Sequence, residues 1–282
     1  MKIIDFIKPK TIEKTCSLLD QLGSDAVVTA GGTAFQFHKK DTEKTAVDIN
    51  SLDLDGIEVR DNEFCIGALT KISEMRSFSK SGWVLNEVAK KFSTQQIRNM
   101  STLGGNIAQI FPWSDFPVAL LVLDAEINTV NSKGSKTYSA VDFFKQQPTG
   151  ILKNKTLITD ICVSKVLKSS GFGYHKEVRT SGGFSTLTVA AYIKLENNTI
   201  SQVRLAVGGA LGLPVRLTAI ESALKGQNAD SSLFMKIVSP LAQDIKWQAK
   251  EGASDDYIGH LAKTIIVDVL NEALKESKSE ER

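Results

Sequence analysis

Apolar and polar positions alternate along this chain with two periods, and the changes of period mark its elements. Residues 11–22 predict a helix, with Thr11 as its cap, Glu13 and Lys14 in its early turns, and Gly23 as its stop. Val27, Val28 and Thr29 are β-branched and predict a buried strand, followed by a shorter one over residues 46–49. Residues 57–66 fit a hairpin with Asp61-Asn62 at its tip. A helix is predicted over 81–92 and another over 112–123, where Ala119, Leu120 and Leu123 form one apolar face. Residues 126–136 predict a second hairpin, turning at Lys133-Gly134.

Polar residues at 165–171 separate this region from a differently patterned one. Beyond them, residues 172–176, 185–195 and 201–207 predict a three-stranded antiparallel meander with a turn at Asn197-Asn198. Pro214 is placed to open a helix reaching Leu224, stopped by Gly226. The last helix, 256–276, carries Ile258, Leu261, Ile265 and Val269 on one stripe, widened by Ile266, Leu270 and Leu274. Strands and helices without regular βαβ alternation predict an α+β fold.

Composition narrows the function by exclusion. The 282 residues suffice for two modest domains, and 42% hydrophobic with 23% charged residues describes an ordinary globular chain. A formal net charge of +2 provides no field for nucleic acid or an acidic membrane. The longest apolar run, 118–123, is far too short to span a bilayer, and the first nine residues lack the features of a signal peptide. A cytoplasmic protein without membrane insertion is expected. Cys16, Cys65 and Cys162 are scattered, so neither a disulfide nor an iron–sulfur cluster is expected, and Cys65 reads as a small buried hydrophobe. His38, His175 and His260 share no ligand spacing, and no metal site or catalytic acid/base set is predicted.

Two glycine pairs carry the chemistry. Thr29-Ala30-Gly31-Gly32-Thr33-Ala34-Phe35 follows the strand at Val27-Val28, where ligands of α/β sheets gather. Thr102-Leu103-Gly104-Gly105-Asn106-Ile107, then Ser114-Asp115, forms the second device. Without Cβ atoms such loops can take left-handed dihedrals and turn N–H groups towards an anion. Two of them suggest a ligand with two phosphates. The chain has no Gly-Lys pair and no Gly-x-Gly-x-x-Gly, so neither a P-loop nor a Rossmann site is predicted.

Ala30-Gly31-Gly32-Thr33 together with Gln96-Ile97-Arg98-Asn99, Thr102 to Ile107 and Ser114-Asp115 resembles the FAD-binding subunit of molybdenum hydroxylases. That family includes the flavin subunits or domains of xanthine, carbon monoxide and nicotinate dehydrogenases. Ile66-Gly67-Ala68-Leu69-Thr70, Lys176-Glu177-Val178-Arg179 and Val207-Gly208-Gly209-Ala210 extend the likeness along the chain. The resemblance implies a two-lobed FAD-binding domain of the vanillyl-alcohol-oxidase/PCMH type over 1–167, with lobes of about 1–55 and 56–167. A smaller α+β domain over 168–282 would follow.

The resemblance also implies roles. Val28, Thr29, Ala30, Gly31, Gly32, Thr33, Ala34 and Phe35 would hold FAD from one loop, and Thr102, Gly104, Gly105 and Asn106 from the other. Asp115 would lie on the adenosine side, Phe92 and Ile158 beside the flavin ring, and Lys176 where a cation favours reduced flavin. No residue of the chain is assigned a catalytic role of its own. The chain would be the oxidoreductase flavoprotein component of a complex with a [2Fe–2S] subunit and a molybdopterin-binding subunit, with NAD or another electron acceptor. A purine such as xanthine is the first expectation for the substrate.

Two positions depart from the family pattern. Ala34 stands where relatives usually carry Asp, and Ser181-Gly182-Gly183 replaces an acidic loop. A stand-alone flavin oxidoreductase of the same fold, or a nucleotide-binding scaffold without catalysis, is the alternative reading.

Overall fold

The computed structural model describes residues 1–37, 42–153, 155–180, 182–249 and 253–279. His38 and Ser181 lie outside them. The described residues divide into two compact units: 1–77 with 94–110 and 125–163, and 78–93 with 111–124 and 164–282.

The first unit begins with strand β1 (Lys2–Ile7) and helix α1 (Ile12–Leu22). Thr11 Oγ1 accepts from the Lys14 N–H at 3.2 Å, and Gly23 at φ 54° stops the helix, as predicted. Strands β2 (Ala26–Thr29) and β3 (Glu43–Asp48) follow, and the three strands pair in parallel in the order β1-β3-β2. Cys16 and Leu19 of α1 pack with Val47, Leu52, Leu54, Leu69 and Leu157 in a buried cluster.

Strands β4 (Ile57–Val59) and β5 (Glu63–Gly67) form the predicted first hairpin, and β6 (Glu126–Asn131) and β7 (Gly134–Ser139) the second. With β8 (Leu157–Ser164) they make a five-stranded sheet in the order β4-β5-β8-β6-β7. Helices α2 (Ile72–Ser77), α4 (Gln95–Met100), α5 (Leu103–Ala108), α7 (Ala140–Lys145) and α8 (Pro148–Leu152) are all shorter than two full turns. Such short helices present too few periods for sequence patterning to reveal.

A disulfide joins Cys65 of β5 to Cys162 of β8, overturning the expectation that the cysteines stay unpaired. Their 97-residue separation concealed a pairing that adjacent strands create. Cys16 is free and buried.

In the second unit, α3 (Leu85–Lys91) is shorter than the predicted 81–92. Gly82 at φ 80° is left-handed, so no helix runs through it. Likewise α6 (Phe116–Val122) starts with Pro117 in its first turn rather than at Pro112, a place where proline's fixed φ suits a helix and its missing N–H costs nothing. Strands β9 (Ser170–Val178), β10 (Ser185–Glu196) and β11 (Thr199–Gly208) form the predicted antiparallel meander, with Asn197 and Asn198 at positive φ in the turn.

A fourth strand, β12 (Val215–Arg216), pairs with β11, so the helix expected from Pro214 begins only at Thr218 as α9 (Thr218–Leu224). Helix α10 (Ser232–Leu241) was not predicted. The last helix, α11 (Asp255–Ser277), is capped by Ser254 and packs Ile265, Ile266, Val269 and Leu270 into one core with Leu187, Val189, Ala191 and Ile193 of β10. Three sheets and eleven α-helices among the described residues make the fold α+β.

Candidate functional site

The first glycine loop leaves the carboxyl end of β2. Ile49 N–H donates to the Thr29 carbonyl at 3.0 Å, and the Asn50 side chain donates to that of Ala30 at 2.9 Å, so the entry to the loop is pinned. Gly31 has no room for a side chain, since a Cβ there would overlap the Met100 carbonyl. Gly32 takes φ 68°, the left-handed conformation that reverses the direction of successive amides. The N–H groups of Gly31, Gly32, Thr33 and Ala34 donate to no other described residue. Successive undonated amides around a left-handed residue form a nest for an anion. Phe35 closes the loop, its N–H on the Gly32 carbonyl at 3.3 Å.

The second glycine pair is built differently. It follows α4 rather than a strand, and both glycines lie in the first turn of α5. Thr102 caps that helix, its Oγ1 accepting the Gly105 N–H at 3.1 Å. Leu103 N–H donates to the Thr70 carbonyl at 3.1 Å, Gly104 N–H to that of Ala68 at 2.9 Å, and Asn106 N–H to that of Thr102 at 3.0 Å. These amides were expected to face a phosphate, yet they are engaged within the protein. Gly104 is glycine for a steric reason, since a Cβ would sit 2.7 Å from that of Ala68. What this segment presents is the exposed Gly105 backbone and Asn106, whose buried Oδ1 has no partner among the described residues.

The two loops, 68 residues apart at their contact, meet within the first unit. Thr33 Oγ1 and Ser101 Oγ lie 3.1 Å apart, beside the close approach of Gly31 to Met100. Lys71 brings a cation there, with Nζ 3.4 Å from the Met100 carbonyl. Sequence reasoning did not select Lys71; its position directly after Ile66-Gly67-Ala68-Leu69-Thr70 was the available signal.

In the second unit, three predicted residues converge on one another. Lys176 Nζ lies 2.9 Å from Asp115 Oδ2, with both side chains about 95% buried, and 5.9 Å from the centre of the Phe92 ring. Phe92 in turn packs 6.0 Å from Phe116. The hydroxyl of Tyr174 is buried beside the same carboxylate; burial first, then the Asp115 charge, pushes its pKa well above the ordinary tyrosine value. A buried charge is tolerable when paired in this way. Ile158 belongs to the first unit, in β8, and is 6% exposed.

Residues 2–164 match the family described as the FAD binding domain in molybdopterin dehydrogenase, and residues 172–273 match the CO dehydrogenase flavoprotein C-terminal domain. The chain belongs to the FAD-binding subunits of molybdenum hydroxylases. The glyceraldehyde dehydrogenase medium chain of Sulfolobus acidocaldarius is 31% identical, over 80% of this chain and 82% of that one. The carbon monoxide dehydrogenase medium chain of Hydrogenophaga pseudoflava is 28% identical over 95% of this chain and 96% of its own length. A solved structure of that enzyme, lacking the Mo-pyranopterin moiety of its molybdenum cofactor, superimposes with a TM-score of 0.91 at 25% identity and covers 98% of both chains.

The residues of this flavoprotein fit FAD, its family's cofactor. The nest at Gly31 to Ala34 supplies several donors to an anion of the size of a phosphate, and Asn106 holds a buried polar atom still to be satisfied. A Cβ at Gly31 would prevent the two loops from meeting. Ala34 keeps its N–H in the nest, so a side chain without a hydrogen-bonding group leaves the row of amides intact. No helix of the described residues is long and apolar enough to cross a membrane.

Proposed function

We propose that this chain is the electron-transfer component of a xanthine dehydrogenase-like molybdenum hydroxylase complex. It would link the [2Fe–2S] clusters of one partner subunit to NAD or another acceptor, with a molybdopterin-binding subunit as the second partner. Support comes from the family and from relatives named as medium chains of dehydrogenases. FAD, when bound, supplies the one- and two-electron chemistry that side chains lack.

The chain's own part is to bind and orient. Thr29 to Phe35, with Val28 at the strand end, would hold the diphosphate on the amides of Gly31 to Ala34. Thr102, Gly104, Gly105 and Asn106 would brace that loop and add the Asn106 side chain. Phe92, Asp115, Ile158 and Lys176 are proposed cofactor contacts, resting on the family likeness; for Lys176, its burial against Asp115 fixes an ammonium with no freedom to leave. The division into domains at about residue 167 is proposed on the two family matches, which end at 164 and resume at 172.

The observation that carries this reading is the meeting of the two glycine loops with four amides left undonated. Its test is the visible spectrum of the purified chain and the flavin released on denaturation. FAD at one per chain, lost in a Gly31→Ala variant that remains folded, is the expected result. A folded wild-type chain that neither carries nor takes up FAD would overturn it.

A further inference from the structure

We propose that Cys65 and Cys162, with Glu63, form a thiophilic metal site that opens when their disulfide is reduced. The two sulfurs face each other on adjacent strands of the first unit, and one oxygen of Glu63 lies within 4.8 Å of both. Glu63 stands two residues before Cys65 on β5, so strand alternation puts both on one sheet face. Its Oε1 is 3.6 Å from Cys65 Sγ.

That face is lined with polar groups. Asp160 Oδ1 lies 3.5 Å from Cys162 Sγ, Asn128 Nδ2 at 4.0 Å, and the Arg60 guanidinium at 3.9 Å. The opposite face carries Phe64, Ile66, Ile161 and Val163, all buried. Structural cysteines in a core have apolar neighbours, whereas these have a carboxylate beside each sulfur and Arg60, which also pairs with Glu63 at 2.9 Å, on the same face. Two thiolates and a carboxylate are a ligand set for Zn²⁺, with a fourth position open to water.

A dithiol or phosphine reductant gives two electrons to the S–S bond, and the sulfurs take up two protons. Zn²⁺ then displaces those protons on binding. Reoxidation by a small-molecule disulfide would return the S–S bond and release the metal.

The test uses the full, flavin-loaded chain, reduced anaerobically and freed of reductant, then titrated with Co²⁺. One equivalent is expected to give tetrahedral d–d bands at wavelengths beyond flavin absorption, abolished by added Zn²⁺. Cys65→Ser or Cys162→Ser should eliminate the bands, Cys16→Ser should leave them, and Glu63→Gln should weaken binding by about tenfold or more. Retained FAD absorbance certifies that each variant is folded. Reduced wild-type chain without the bands, or bands that survive loss of both cysteines, would overturn the proposal.

Discussion

The two glycines of the first loop are required for different physical reasons. Gly31 is glycine because the Met100 carbonyl occupies the space of its side chain, and Gly32 because of its left-handed backbone. Gly31→Ala should therefore push the loops apart and lower flavin content several-fold. An Ala at Gly32 costs about 1–3 kcal/mol of backbone strain but leaves that contact. Comparing the absorbance at the flavin bands of the two variants separates close approach from conformation. For the buried pair, Lys176→Met removes the cation that pairs with the buried Asp115, a loss of about 3–5 kcal/mol in urea unfolding. Adding Asp115→Asn to it should recover much of that loss. Equal midpoints for the single and double variants would show that the pair is not what couples these residues. Sequence reading selected Phe92, Asp115 and Lys176 by family likeness, yet their mutual contact is a tertiary fact.

At the scale of elements, capping was legible and short helices were not. Thr11 and Gly23 bound α1 as expected, because cap and stop are local chemistry. Helices α4 and α5, which carry the second glycine motif, have no signature in the sequence, since six residues complete fewer than two turns and show no periodicity. Thr102 holds α5 at its start. Thr102→Val should therefore cost about 1 kcal/mol and leave the Gly105 N–H undonated, read as a lower thermal midpoint. Ser254→Ala at the start of α11 should cost a similar amount, visible in urea unfolding but without effect on flavin content. The two strands flanking Asn197-Asn198 were legible because alternation and a turn pair reinforce each other, whereas two-residue β12 exists only through its pairing with β11.

For the whole molecule, the disulfide is the feature with the longest reach. Closing a loop between positions 97 apart restrains the unfolded chain, so reduction should lower stability by about 2–4 kcal/mol, measured as a shift of the urea midpoint. Coincident midpoints with and without reductant would show that the sulfurs are not bonded in solution. The sequence by itself determined the α+β class, the order of most strands and long helices, and the family, because local propensity, caps and a specific motif are written residue by residue. Only the tertiary structure decided that the first glycine loop keeps its amides undonated while the second spends its own, that Lys176 is buried against Asp115, and that Cys65 meets Cys162. Each depends on which segments distant in sequence arrive side by side, and that is set by packing of the whole chain.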